Sequence, residues 1–273
     1  MDINIISSRY QLRNLSNYCL WIRWKDDSLA WVVTDESTHE FVQLRVCEAP
    51  QQDFKSIIGK ELFGLNFAKK SVLVYSVPSI VVPDSMFQRD DRPFLLSFCA
   101  ELNINDHVLN NSLNTLSAVT VFSLDTQVEK IIRSIGSDVM IIHYTSPFLY
   151  DMQQISIREN TTVAGAVFFH NTIFISVCEK GNLLIANHFF SKTAEDCVYW
   201  ISRCYEEFRM DSTCHKLYLQ GVDNLNDSRM EMLKHYFHYV DLLPLPQGYT
   251  LTPEFQTHTA STLDLFRLPL CVL

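Results

Sequence analysis

The chain has 273 residues, 47% hydrophobic, 12% aromatic and 19% charged, with a formal net charge of -9. This composition belongs to a globular chain of one large domain or two ordinary ones and excludes a disordered tail protein. Division after Asn160 leaves -5 before it and -4 after it. Neither half carries the clustered Lys and Arg of a DNA- or RNA-binding face, so nucleic acid is not an expected partner.

Seven glycines are about a third of average usage, which argues against glycine-rich phosphate loops. The opening MDINIISSRYQLRN has no charged-then-apolar export pattern. The longest apolar run, Val163 to Phe169, falls far short of the ~20 residues that span a bilayer. The expected setting is therefore the cytoplasm, without a membrane span. Eight cysteines make no Cys-x-x-Cys pair and read as free thiols and small buried hydrophobes. The basic doublet Lys69-Lys70 reads as the solvated start of a strand.

In chain order, CLWIRW (Cys19–Trp24), LAWVVT (Leu29–Thr34) and FVQLRVC (Phe41–Cys47) are aromatic and β-branched, with a polar turn at Lys25-Asp26-Asp27-Ser28. They predict a three-strand meander. Apolar residues at Phe54, Ile57, Ile58, Leu62 and Leu65 predict an amphipathic helix ending near Gly64. Ser71–Val77 reads as a buried strand. Between Arg89 and Asn114 the pattern is weak, with one strand expected at Phe94–Cys99. Ala118–Phe122 is a strand, Asp125–Ile135 a helix, and Asp138–His143 a strand. Ser146-Pro147 predicts a cap followed by proline at the first helical position.

The second half restarts with strands at Val163–Phe169, Thr172–Cys178 and Leu183–His188, the first two joined at His170-Asn171. Thr193-x-x-Asp196 matches a capping box and opens a long helix. A strand at Lys216–Gln220, a helix at Ser228–Phe237, a strand at Tyr239–Leu242 and a helix near Ala260–Phe266 complete the chain. Both halves thus follow one plan, β-β-β-α-β-α-β. The expected fold class is α/β: two ribonuclease-H-like subdomains, 1–160 with an insertion near 89–116 and 161–273, in an actin-like arrangement with a cleft between them.

The stretches YCLWIRWKDDSLAWVVTD, KKSVLVYSVPSIVVPDSMF, AVTVFSLDTQVEKIIRSIG and NLLIANHFFSKTAEDCVYWISRCYEEFRMD carry a resemblance. The chain resembles a Bacteroidetes family of unknown function whose members are similar in fold to actin-like ATPases, especially the pilus-assembly protein PilM and the secretion protein GspL. The resemblance implies a fold and assigns no reaction.

An active ATPase of this type needs glycine-containing hairpins whose bare amides reach phosphate oxygens, with an acid nearby for metal. The first hairpin here, Lys25-Asp26-Asp27, has acids and no glycine. The second, His170-Asn171, has neither. Gly221 and Asp223 mark the turn that would pack under adenosine. Lys25, Asp26, Asp27, His170, Asn171, Gly221 and Asp223 are therefore the cleft candidates, with ordinary turn chemistry as the plainer account of the hairpin residues. No catalytic residue, cofactor or metal is expected. His235-x-x-His238 supplies too few ligands for a site, and His143 and His188 read as strand-boundary residues. The reading is a pseudo-ATPase used as an interaction scaffold for a protein partner. The alternative is a nucleotide-binding protein or weak ATPase in a pilus- or secretion-like assembly.

Overall fold

The computed structural model describes residues 2–10, 12–222, 227–245, 248–257 and 259–271. A short strand, β1 (Ile3–Ile6), precedes the meander β2 (Tyr18–Lys25), β3 (Ser28–Asp35) and β4 (Glu40–Glu48). Helix α1 (Phe54–Glu61) and strand β5 (Lys69–Val74) follow. Next come β6 (Ser79–Pro83), α2 (Arg92–Ser97), β7 (Asp106–Leu113) and β8 (Ala118–Asp125). Helix α3 (Thr126–Arg133), strand β9 (Met140–His143) and helix α4 (Thr145–Glu159) close this part. The second meander is β10 (Thr162–Phe169), β11 (Thr172–Glu179) and β12 (Asn182–Phe190). Then come α5 (Ala194–Glu207), β13 (Leu217–Gln220), α6 (Ser228–Tyr236), β14 (Val240–Leu242), α7 (Pro253–Gln256) and α8 (Thr259–Cys271).

One sheet runs β1-β4-β3-β2-β5-β9 and another β12-β11-β10-β13-β14. Without β1, the two orders coincide: a meander laid out third, second, first, then two strands parallel to its first. The repeated plan is real. A third sheet, β6-β8-β7, is built by the segment between β5 and α3.

Burial follows from both faces of each large sheet being covered. Leu20, Ile22 and Trp24 of β2 pack with Phe54, Ile58 and Ile132 of α1 and α3. On the opposite face, Cys19 and Trp21 join Phe148 and Leu149 of α4, Phe266 of α8, and Val163 and Val167 of β10. Helices α4 and α8 thus form a central layer between the sheets, while α5 and α6 cover the outer face of the second through Ile201 and Leu233. Gly165 allows the close approach of α4, since a Cβ there would lie 2.5 Å from the Met152 sulfur.

Local chemistry sets the helix starts. The Asp125 carboxylate accepts from the amides of Gln127 (2.7 Å) and Val128 (3.2 Å), and Thr193 with Asp196 forms the expected reciprocal box at α5. Three expectations are corrected. Phe94–Cys99 is not a strand: Pro93 sits in the first turn of α2 and Leu96 packs into a small core with Val108 and Val121. Ser146 is not a cap; helix α4 begins at Thr145, and the Ser146 hydroxyl bonds Asn111 Oδ1 at 3.2 Å. Lys70 is not solvated. It is 7% exposed, with its ammonium 3.5 Å from the Ile135 carbonyl and 3.9 Å from Asp138.

Two sheet edges are closed by side chains instead of strands. On β9, Asn111 Nδ2 donates to the Ile141 carbonyl (2.9 Å), and Asn111 Oδ1 accepts from the His143 amide (2.7 Å). Arg133 donates to the neighbouring Val139 carbonyl. On β12, Trp200 Nε1 donates to the Phe190 carbonyl (2.9 Å) and Asn187 Oδ1 accepts from the His188 amide (2.9 Å). Edges satisfied this way offer less to a passing strand.

Candidate functional site

The turns β2–β3 and β10–β11 meet across the mouth of a cleft. Each is a two-residue turn, closed by the pairs Lys25–Ser28 and Phe169–Thr172. His170 Nε2 lies 3.3 Å from the Asp26 carboxylate, so the two tips touch. Behind them, the Tyr75 ring is flanked by the Lys25 ammonium at 4.5 Å and the Phe169 ring at 5.0 Å, and stacks on Tyr144 at 4.5 Å. Aromatic and basic side chains thus pack directly behind the two tips.

A cavity of about 920 Å³ lies beside these rings. Asp26, Asp106 and Asp125 line it with Trp24, Gln51 and Gln127, and no Lys or Arg lines it among the described residues. Of the sequence candidates, Asp26, His170 and Asn171 share this cavity. Asp27 does not; it borders a separate hollow with Ile3, Val46 and Glu48. Gly221 does not line the cavity either. Its φ is +81°, and a Cβ there would sit 2.4 Å from the Phe168 carbonyl oxygen, so close packing against β10 accounts for this glycine. Asp223 lies outside the described residues.

Two buried polar groups lie below the cleft, and the first escaped the sequence reading. Arg23 of β2 and Asp264 of α8 pair at 3.2 Å, each almost fully buried, and the Tyr75 hydroxyl donates to the other Asp264 oxygen at 2.7 Å. Burial opposes the Asp264 charge, yet Arg23, Lys25 and the Tyr75 hydroxyl together hold it below the usual carboxylate range. Burial, then the Asp264 charge, pushes the Tyr75 phenol well up. The signal was in the sequence: Arg23 and Asp264 are single charges inside apolar elements, CLWIRW and STLDLF.

The second group joins the halves. His143 is fully buried; its Nε2 donates to the Ser76 carbonyl (2.9 Å) and its Nδ1 accepts from the Thr145 hydroxyl (2.7 Å). The Tyr144 hydroxyl bonds His188 Nε2 at 2.7 Å. Burial drives His143 down to about 3 and His188 down to about 4, so both are neutral. Both are interior hydrogen-bonding residues: His143 does end β9 as expected, whereas His188 lies within β12 and not at its boundary. His235 and His238 are exposed, and no cluster of three or more His, Cys, Asp or Glu suited to a metal occurs among the described residues.

A family model matches residues 7–240. The chain belongs to DUF3822, a family of proteins of unknown function. Solved structures agree on the fold. A Bacteroides thetaiotaomicron protein with an actin-like ATPase fold and unknown function superposes with a TM-score of 0.83 at 17% identity, covering 97% of this chain and all of that one. The PilM–PilN type IV pilus biogenesis complex matches with a TM-score of 0.57 at 12% identity, over 93% of this chain and 97% of that one. The ethanolamine utilization protein EutJ from Carboxydothermus hydrogenoformans gives 0.50 at 10% identity, over 96% and 92%. No curated protein sequence matches the chain. The DUF3822 chain therefore has the actin-like ATPase fold. No helix among its described residues is long and apolar enough to cross a membrane.

Proposed function

We propose that this DUF3822 member is a non-catalytic scaffold on a degenerate ATPase fold, working in the cytoplasm by binding a protein partner. One observation carries the reading: three carboxylates and no Lys or Arg line the cleft cavity among the described residues. A triphosphate brings about four negative charges, and where no Lys or Arg faces it such walls repel it unless a divalent cation bridges the two. The crossing tips add to this. Asp26 and His170 meet where glycine amides would have to face phosphate, and Lys25 is turned onto Tyr75. The likeness to PilM, solved in complex with PilN, supports a protein partner.

Titration calorimetry with Mg-ATP and Mg-ADP tests the reading. The expected result is no saturable heat at millimolar nucleotide and no rise in melting temperature. A ligand present at a hundred times its dissociation constant would add ~2.7 kcal/mol of stability and be plain in a melt. A dissociation constant below ~100 μM, lost in Asp26→Ala, would replace this reading with a nucleotide-binding protein or weak ATPase in a pilus- or secretion-like assembly.

A further inference from the structure

We propose that the cleft cavity takes an extended segment of a partner protein, with a Lys or Arg side chain set among Asp26, Asp106 and Asp125. The inference deepens the scaffold reading and rests on it, because it gives the partner a chemistry and a place to bind. Each of these carboxylates is half used. Asp26 meets His170 through Oδ2, Asp106 accepts from Asn103 through Oδ2, and Asp125 caps α3 through Oδ1. The other oxygen of each accepts no hydrogen bond among the described residues. Asp106 and Asp125 are also direct cross-strand partners, an arrangement of like charges that costs a sheet stability. No group of three or more His, Cys, Asp or Glu suited to a metal occurs among the described residues. The charges are therefore spread over the cavity wall and not gathered on a point, which suits an extended ligand better than a metal ion.

A second observation asks for something a bare cation lacks. Trp24, only 2% exposed, lines the cavity, and its indole N–H finds no acceptor among the described residues. The Ser76 hydroxyl, also on the lining, is buried without a partner among them. Leaving a buried donor unpaired is costly, and a ligand that brings carbonyl oxygens relieves that cost. A peptide has both parts: backbone carbonyls for Trp24 and Ser76, and an ammonium or guanidinium for the carboxylates. A protonated polyamine carries donors alone. The rings of Trp24, Tyr75 and Phe169 on the lining give a basic side chain's apolar stem and charge a surface to lie on, as the Lys25 ammonium already does on Tyr75. At about 920 Å³, the cavity is at the large end of those that enclose small ligands, room for a few residues of chain. The same walls repel nucleic acid and anionic lipid.

The test uses the full chain and a dye-labelled peptide of alternating Arg and Ala, with a twin carrying Glu for Arg. Anisotropy should show saturable binding of the Arg peptide and none of the twin. Asp26→Asn/Asp106→Asn, which keeps the shape of both side chains, should weaken it at least ~tenfold without lowering the melting temperature. Trp24→Phe deletes the N–H and keeps a ring; it should weaken the peptide about fivefold and leave the inhibition constant of spermidine, a displacer without acceptors, unchanged. Equal affinity in the parent and the Asn variant, or no binding at millimolar peptide, overturns the proposal. So does an equal loss for peptide and spermidine in Trp24→Phe, which would make the indole merely structural. Displacement by Mg²⁺ beyond that of Na⁺ at equal ionic strength would make the carboxylates a metal site and overturns it too. The peptide runs contain no nucleotide, so failure here and failure of the scaffold reading, which the calorimeter reads, are told apart.

Discussion

The two large sheets share a strand order, and their registers place Lys25, Asp26, Asp27 and Ser28 at the positions that Phe169, His170, Asn171 and Thr172 hold in the second. Two residues before each turn the halves part: Arg23 stands where the second sheet has Val167. The second half solves that inner position with packing against the central helices. The first solves it with a buried charge that needs Asp264, 241 residues away, to be tolerable. One topology thus accepts two kinds of interior, and the choice decides which half depends on the end of the chain. Burying a charge pair offers little net stability, while losing one partner is costly.

The largest effect should come from breaking that dependence. Asp264→Ala leaves Arg23 buried without its carboxylate and should cost about 3–5 kcal/mol in chemical denaturation. Arg23→Val with Asp264→Leu, which makes the first half resemble the second, should recover most of the loss. If the single and double variants are equally unstable, packing and not charge governs the site.

Acid should act on the seam between the halves. His143 and His188 are depressed to about 3 and about 4 against an unfolded value near 6.5, so the unfolded chain binds more protons between these limits. Their contribution is complete above pH ~6.5 and is lost as pH falls toward 4, a change on the order of 3 kcal/mol for His188 alone. Asp264, also depressed, works in the same direction at still lower pH. In His188→Gln the slope of stability against pH over this range should drop by close to one proton. An unchanged slope would show that His188 is already exposed to water in the folded chain.

The two glycines that permit close packing offer a smaller contrast. Gly221→Ala should cost about 1–3 kcal/mol, because it combines a left-handed backbone with the Phe168 carbonyl clash. A thermal melt showing no loss would mean that the β13 turn can relax, and would reopen a ligand-related account of this glycine. The smallest effect belongs to the touching tips. Asp26 and His170 are both more than half exposed, so Asp26→Asn or His170→Ala should change stability by less than ~1 kcal/mol. A larger loss would make the tip contact a clamp between the halves.

Local patterns explain which parts were legible. The meanders read correctly because alternating or continuous β-branched and aromatic runs were bounded by polar turns, and helix starts read correctly at Asp125 and Thr193 because a side chain caps them. The misreadings share a cause: the deciding partner is distant in sequence. DHVLNNSL looks like loop, yet β7 forms because β8 pairs with it in register and Asn111 closes the edge of β9. β1 exists only through β4. FLLSFC has no clear period, and its helix depends on Pro93 and on the pocket that takes Leu96. The cleft was half legible. The turns were located, but Asp27 and Gly221 lie away from the cavity, and nothing local announces that Arg23 awaits Asp264 or that Tyr144 awaits His188.

Asn111 has a further consequence. Its amide is the clip between the small sheet and the edge of the six-stranded one, and the amide it holds belongs to His143, whose ring is bonded to Ser76 at the rim of the cleft. Separation of the small sheet from β9 would break the bond that holds the His143 backbone amide. The rate at which that single hydrogen exchanges with deuterated water therefore reports how often the small sheet parts from the edge of β9.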